Sequence, residues 1–185
     1  PPRSTLFPYT TLFHLNRFDG VDYHFIDLSA ADQMLQGHEF IEAKFVHGTV
    51  YGTSVAELKA IHDDGRTAIT DIDVQGVAEY EAMSPDCIAI FIVPPDFKTW
   101  MTRLKSRYAT EAEFQAEWPK RRRSAIKELA HVLEMPYYHV IINDDLERAV
   151  RVCREIIERG DVFVRQDDEA RLVARDLLEV LQAEG

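Results

Sequence analysis

The sequence predicts an α/β fold with a parallel sheet at its core, a smaller β-rich lobe and a basic helical segment. Three observations carry that expectation. Three nearly unbroken apolar runs, TAITDID at 67–73, CIAIFIVPP at 87–95 and YYHVIIND at 137–144, have the composition of parallel strands buried on both faces. The stretches around them have the spacing of amphipathic helices. FIEAKFVHGTVYGTS at 40–54 sets an alternating apolar run before a sharp turn at Gly48, Tyr51 and Gly52, which suits a polar ligand laid against a short sheet.

Composition bounds the rest. With 185 residues, 46% of them hydrophobic, the chain can build one ordinary domain with a real core and a small inserted lobe. No apolar run approaches the roughly 20 residues needed to span a membrane, and the first residues lack the basic flank and apolar centre of a signal peptide. A cytoplasmic protein is expected. Cys87 and Cys153 are far apart and outside any zinc-binding spacing, so they read as reduced and structural. A net charge of −11 argues against general affinity for nucleic acid. The charge is uneven, however. Between Lys98 and Lys127 stand nine Lys/Arg against three Asp/Glu, a local +6 that leaves −17 elsewhere and suits a phosphate-bearing ligand.

In chain order, residues 1–18 carry three prolines and no helical period, and Pro8 demotes any strand to an edge or bulge. They are expected to be a leader foreign to the fold, the alternative being a substitute strand over Thr10–Leu15. Asp22 to Phe25 reads as a short strand, and SAADQMLQG at 29–37 as a helix capped by Ser29 and stopped by Gly37. SVAELKAIHDDG at 54–65 sets Val55, Leu58 and Ile61 on one stripe and ends at Gly65. In DFKTWMTRLKSRY at 96–108, Phe97, Trp100, Met101 and Leu104 face inward while Lys98, Arg103, Lys105 and Arg107 project. Pro119 is expected to break or kink the next helix, leaving a longer one from about residue 120. DLERAVRVCREIIERG closes the core, and 161–185 reads as a polar strand-like DVFVRQ followed by a terminal helix. No internal repeat is present.

The span 40–76 concentrates the chemistry. Glu42 sits in the alternating run before Gly48, Tyr51 and Gly52, and a carboxylate able to accept two parallel N–H bonds is a natural reader of a guanine edge. Asp71 and Asp73 flank Ile72, so a strand there would turn both carboxylates to one face, at the strand end where open α/β sheets present ligand loops.

With GVDYHF at 20–25, FIEAKFVHGTVYGTS, DIDVQG at 71–76, IFIVPP at 90–95, RLKSR at 103–107 and IINDDLERA at 141–149, the chain resembles guanylate kinases over about residues 19–150. The resemblance implies a parallel-sheet phosphate-loop kinase core, a nucleotide-monophosphate lobe over 20–54, and a helical lid over 98–130. Residues 151–185 then form a closing helix and extension. It implies ATP-dependent phosphorylation of GMP to GDP with Mg2+, and no nucleic-acid or membrane partner. By the same resemblance Glu42 and Thr53 read the base, Tyr23 and Tyr51 hold the acceptor phosphate beside Gly52, and Asp73 contacts the nucleotide. Asp71 would reach magnesium through water, Arg103, Arg107 and Arg121 would serve catalysis from the lid, and Asn143 would lie near the donor adenine. Arg122 and Arg123 read as a solvated face.

The departures are as specific as the matches. The family's Gly-rich loop ending Gly-Lys-Ser/Thr has no counterpart, and the dipeptide Gly-Lys never occurs. The Ser-x-x-Thr-Arg-x-x-Arg phosphate clamp has none either, and Arg17 is a poor stand-in. The amino-terminal strand and loop are therefore expected to be missing and the chain as given inactive. The rival readings are a noncatalytic guanylate-kinase-like module binding GMP or a phosphorylated peptide, and an enzyme for another phosphorylated acceptor such as a ribose bisphosphate. Lid arginines with Asn143 disfavour the former, and Glu42 with Thr53 the latter.

Overall fold

The structure, a computed structural model, describes residues 24–46, 49–83, 86–159 and 164–184. Its elements are α1 (Leu28–Gln36), β1 (Phe40–Val46), β2 (Thr49–Ser54), α2 (Val55–Asp63), α3 (Val74–Met83), β3 (Ala89–Val93), α4 (Phe97–Lys105), α5 (Glu111–Glu134), β4 (Tyr138–Ile142), α6 (Leu146–Arg159) and α7 (Val164–Ala183). The chain divides into two compact units, residues 1–87 and 88–185. The leader 1–18, with the substitute strand expected over Thr10–Leu15, Tyr23 and Gly48 lie outside the described residues.

In the first unit β1 and β2 pair antiparallel, with Glu42 opposite Thr53 and Ala43 opposite Gly52. The register shifts between Phe40 and Glu42, a bulge at Ile41. Ile41 and Glu42 are consecutive yet both buried, which strict alternation forbids and a bulge permits. Ser54 ends β2 by capping α2, its hydroxyl accepting from the Glu57 N–H at 3.1 Å. Past the end of α2, Gly65 takes a left-handed φ of 66°, a conformation glycine adopts at little cost. α3 packs against β1.

Three expectations fail in this unit. His24 and Phe25 are not in a strand. α1 is capped by Asp27, whose carboxylate accepts from the Ala30 N–H, and Ser29 lies inside the helix. Residues 67–73 form no strand, and Ile69 among them is 75% exposed. An extended segment becomes a strand only by giving its N–H and C=O groups to a neighbour, and among the described residues none pairs with this one.

In the second unit β3 and β4 pair in parallel, Ala89 beside Tyr138 through Val93 beside Ile142. The Asn143 N–H extends the ladder to the Val93 carbonyl at 2.8 Å. Ile141 joins Ala149 and Ile156 of α6 in one buried cluster; alternation sends Val140 to the opposite face, and α7 packs against β4, β3 and α5. The buried residues of α7, Ala170, Ala174, Leu177 and Leu181, recur at 4, 3 and 4, one helical stripe.

Two further expectations change here. α5 runs through Pro119 without interruption. The proline frees the Gln115 carbonyl, but both residues are exposed, so water satisfies it. DVFVRQ is not a strand over its described part, because Val164 already begins α7. No helix among the described residues is long and apolar enough to cross a membrane.

Candidate functional site

The hairpin of the first unit carries a buried polar pair. Glu42 is 6% exposed and Thr53 8% exposed, and the Thr53 hydroxyl donates to Glu42 Oε1 at 3.2 Å. Buried polar groups are held in place by such partners. The bulge turns Glu42 inward, and the Ser54 cap fixes the end of the strand that carries Thr53. Strand alternation puts the partly buried Tyr51 on the face of Thr53. Gly52 lies between them, where its backbone closely approaches the Phe40 ring and the Glu42 carbonyl.

A third polar side chain joins from α3. The Tyr80 phenol is pushed up first by burial, while the neighbouring Thr53 hydroxyl pulls the other way and the Glu42 charge adds to the rise. Tyr80 was not singled out in the sequence. The signal was available, because Tyr80 stands four residues after Gly76, the buried residue of α3, and so shares its helix face.

The two aspartates separate in role. With no strand over 67–73, their shared strand face disappears. Asp73 caps α3, its Oδ1 accepting from the N–H groups of Gln75 at 3.1 Å and Gly76 at 2.9 Å. Asp71 is exposed as a residue, yet local crowding of its carboxyl pushes the pKa up.

In the second unit Arg103 and Asn143 meet just past the carboxyl end of β4. Asp96 caps α4 through the Thr99 N–H and hydroxyl, at 2.7 and 2.8 Å. From that helix Arg103 reaches the main-chain carbonyl of Asn143 at 2.7 Å and that of Asp144 at 3.5 Å. Arg103 and Asn143, 40 residues apart, are thus brought together. Arg121 donates to the Tyr108 hydroxyl at 3.1 Å, and Arg107 is exposed. Arg122 is no solvated charge: it donates to the Leu181 carbonyl at 2.6 Å.

Comparison with known proteins agrees with this architecture. The guanylate kinase family model matches residues 5–160. The chain belongs to the guanylate kinase family. The match is wider at both ends than the 19–150 span carried by the motifs. Guanylate kinase 1 of Oryza sativa subsp. japonica is 38% identical over 144 residues, 77% of this chain and 37% of the relative. The guanylate kinase of Syntrophotalea carbinolica is 39% identical over 139 residues, 75% of this chain and 64% of the relative. This chain thus spans less than two thirds of the length of either. The crystal structure of the guanylate kinase from Anaplasma phagocytophilum superposes with a TM-score of 0.57 at 26% identity, over 90% of this chain and 77% of that one. Among the candidates named from the sequence, the structure brings Glu42 together with Thr53 and Arg103 together with Asn143.

Proposed function

We propose that the chain binds GMP on its hairpin, Glu42 reading the guanine N–H edge and Thr53 supporting it, as part of an ATP-dependent kinase that forms GDP. The buried Glu42 carboxylate held by Thr53 carries this reading. A carboxylate offers about four acceptor sites, enough to hold Thr53 and further N–H donors. Tyr23 and Tyr51 are proposed to hold the acceptor phosphate, and Asp73 to touch the nucleotide from the start of α3. Arg103, Arg107 and Arg121 would stabilise charge on the transferring phosphoryl group, where planar guanidinium forks serve better than lysine. Asn143 is proposed for the adenine side.

Magnesium fits Asp71 as a single carboxylate reached through water. The ion keeps most of its waters and takes one or two acids, and a cation beside this crowded carboxyl would offset the cost of its charge. When bound, it would neutralise charge on the phosphates.

Replacing Glu42 with Gln puts an N–H donor against the guanine donors. GMP binding should weaken by about 1–3 kcal/mol, the cost of an unmatched buried polar contact; an unchanged calorimetric Kd would remove Glu42 from the site. The 185 residues contain no Gly-Lys dipeptide, and this reaction is catalysed almost wholly by positioning and electrostatics around the phosphates. We expect the chain alone to bind GMP without turnover. A coupled assay with ATP, GMP and Mg2+ giving the ~1–100 s⁻¹ typical of kinases would overturn that. Tight binding of a phosphorylated peptide in competition with GMP would favour the binding-module reading.

A further inference from the structure

The phosphoryl-contacting role proposed for Arg121 is the reading on which this inference rests. On α5, Phe114, Trp118 and Arg121 follow one another at helical spacing and share one face. Arg121 is held there from outside its own helix. Its Nε–H donates to the Tyr108 hydroxyl at 3.1 Å, across the turn that joins α4 to α5. That turn is fixed at both ends. The Arg107 and Tyr108 N–H groups bond back to the Leu104 and Lys105 carbonyls, each at 3.1 Å, while Thr110 caps α5 and Glu113 reaches back to the Ala109 N–H at 3.1 Å. The Tyr108 ring meets Phe114 edge-on at 5.6 Å, and Phe114 is 2% exposed. The Tyr108 hydroxyl is thus an acceptor anchored by its backbone and by its ring.

We infer that Tyr108 is a positioning residue for Arg121. A guanidinium has five N–H donors in a rigid fork. Tyr108 takes the one on Nε, and among the described residues no protein group takes those on the two terminal nitrogens. The stem is therefore held while the terminal pair, the part that meets two phosphate oxygens at once, stays open. Binding a ligand normally requires a long side chain to be ordered, and one that is ordered beforehand loses less freedom. Phenylalanine at position 108 keeps the ring against Phe114 and removes the acceptor alone.

The test is calorimetric titration of the 185-residue chain with inorganic tripolyphosphate, which stands for a phosphate chain without either base, together with the Arg121 Nε–H signal in a proton–nitrogen NMR spectrum. In Tyr108→Phe the tripolyphosphate Kd should rise about 3–10-fold, the effect of having to order one long side chain on binding, and the Nε–H should exchange faster with water. Arg121→Lys keeps the charge and has no Nε–H, so it should bind tripolyphosphate more weakly and be indifferent to the addition of Tyr108→Phe. A packing role predicts an Nε–H signal that does not move, or equal losses from Tyr108→Phe with and without Arg121→Lys, and either result overturns the inference. Weaker binding in Arg121→Ala with an unchanged Kd in Tyr108→Phe overturns Tyr108 alone. A wild type that binds no tripolyphosphate, or an Arg121→Ala variant that binds it as well as the wild type, overturns the phosphoryl-contacting reading of Arg121 and the inference with it.

Discussion

A methyl group at residue 52 has no room. An ideal Cβ there would lie 2.6 Å from Phe40 Cδ1 and 2.7 Å from the Glu42 carbonyl oxygen. The ring can shift, but the carbonyl belongs to the paired strand that carries Glu42. Gly52→Ala should therefore force β2 away from β1 at the bulge. Overpacking of this kind costs about 1–3 kcal/mol, and Glu42 should move with its strand. The checks are a urea unfolding midpoint and the GMP Kd: both are expected to worsen, and no change in either would mean that the contact is soft. Gly52 was legible as a site residue because it falls between Tyr51 and Thr53. That its role is to let two strands approach, and that Ile41 is bulged, depended on the partner strand. Tyr80 was hidden for the same reason, since the Glu42 and Thr53 that influence its phenol stand on strands far earlier in sequence.

The helices of the second unit hold one another by aromatic rings and arginines. α4 and the first half of α5 share a cluster in which Phe114 stacks on Trp118 at 5.7 Å and Trp100 meets Trp118 edge-on at 6.1 Å. That packing on both sides of the α4–α5 turn holds the half of α5 before Pro119, which propensity alone would detach. α5 and α7 run antiparallel and cap each other. Arg171 of α7 donates to the carbonyls of Val132 at 3.2 Å, Met135 at 3.3 Å and Tyr138 at 2.7 Å. Arg122 of α5 does the same at the end of α7. Cations at helix ends also meet the negative end of the helix dipole. Hydrogen bonds from a charged group contribute about 1.5–3 kcal/mol, so Arg171→Ala should destabilise the second unit by about 2–4 kcal/mol. Arg171→Lys, which cannot reproduce the fork, should fall between, and Arg123→Ala on the exposed face should stay within about 0.5 kcal/mol. Urea midpoints rank the three, and an Arg171→Ala midpoint equal to that of Arg123→Ala would refute the mutual cap.

Across the molecule the two units answer acid differently. In the second, Asp96 is held below the ordinary carboxyl value by the Thr99 N–H and hydroxyl, Glu111 by Gln115 and Lys105, and Asp144 by the Asp145 N–H and Arg148. Depressed carboxyls contribute stability above their unfolded values of 3.8 and 4.5, and that contribution disappears as pH falls through the folded values. Asp71 of the first unit is raised, so its effect has the opposite sign and favours the folded form once protonated. Trp100 and Trp118 are the chain's two tryptophans and both lie in the second unit, so tryptophan fluorescence reports that unit alone. Its urea midpoint should drop between pH 5 and pH 3; a midpoint that holds or rises over that range would contradict the sign.

The sequence by itself determined what short-range physics decides. Gly37 and Gly65 end their helices, the apolar runs at 87–95 and 137–144 supply the parallel strands Ala89–Val93 and Tyr138–Ile142, and ordered motifs identify the guanylate kinase family and single out Glu42 and Thr53. Only the tertiary structure decided what depends on distant partners. The apolar run at 67–73 had strand composition, but a strand exists only when another donates and accepts along its edge. Pro119 marked a break that packing against α4 overrides. The bulge that buries Glu42 and the arginines that join α5 to α7 arise between segments separated in sequence. Local propensity acts over a few residues; pairing and burial are settled by whatever the rest of the chain brings alongside.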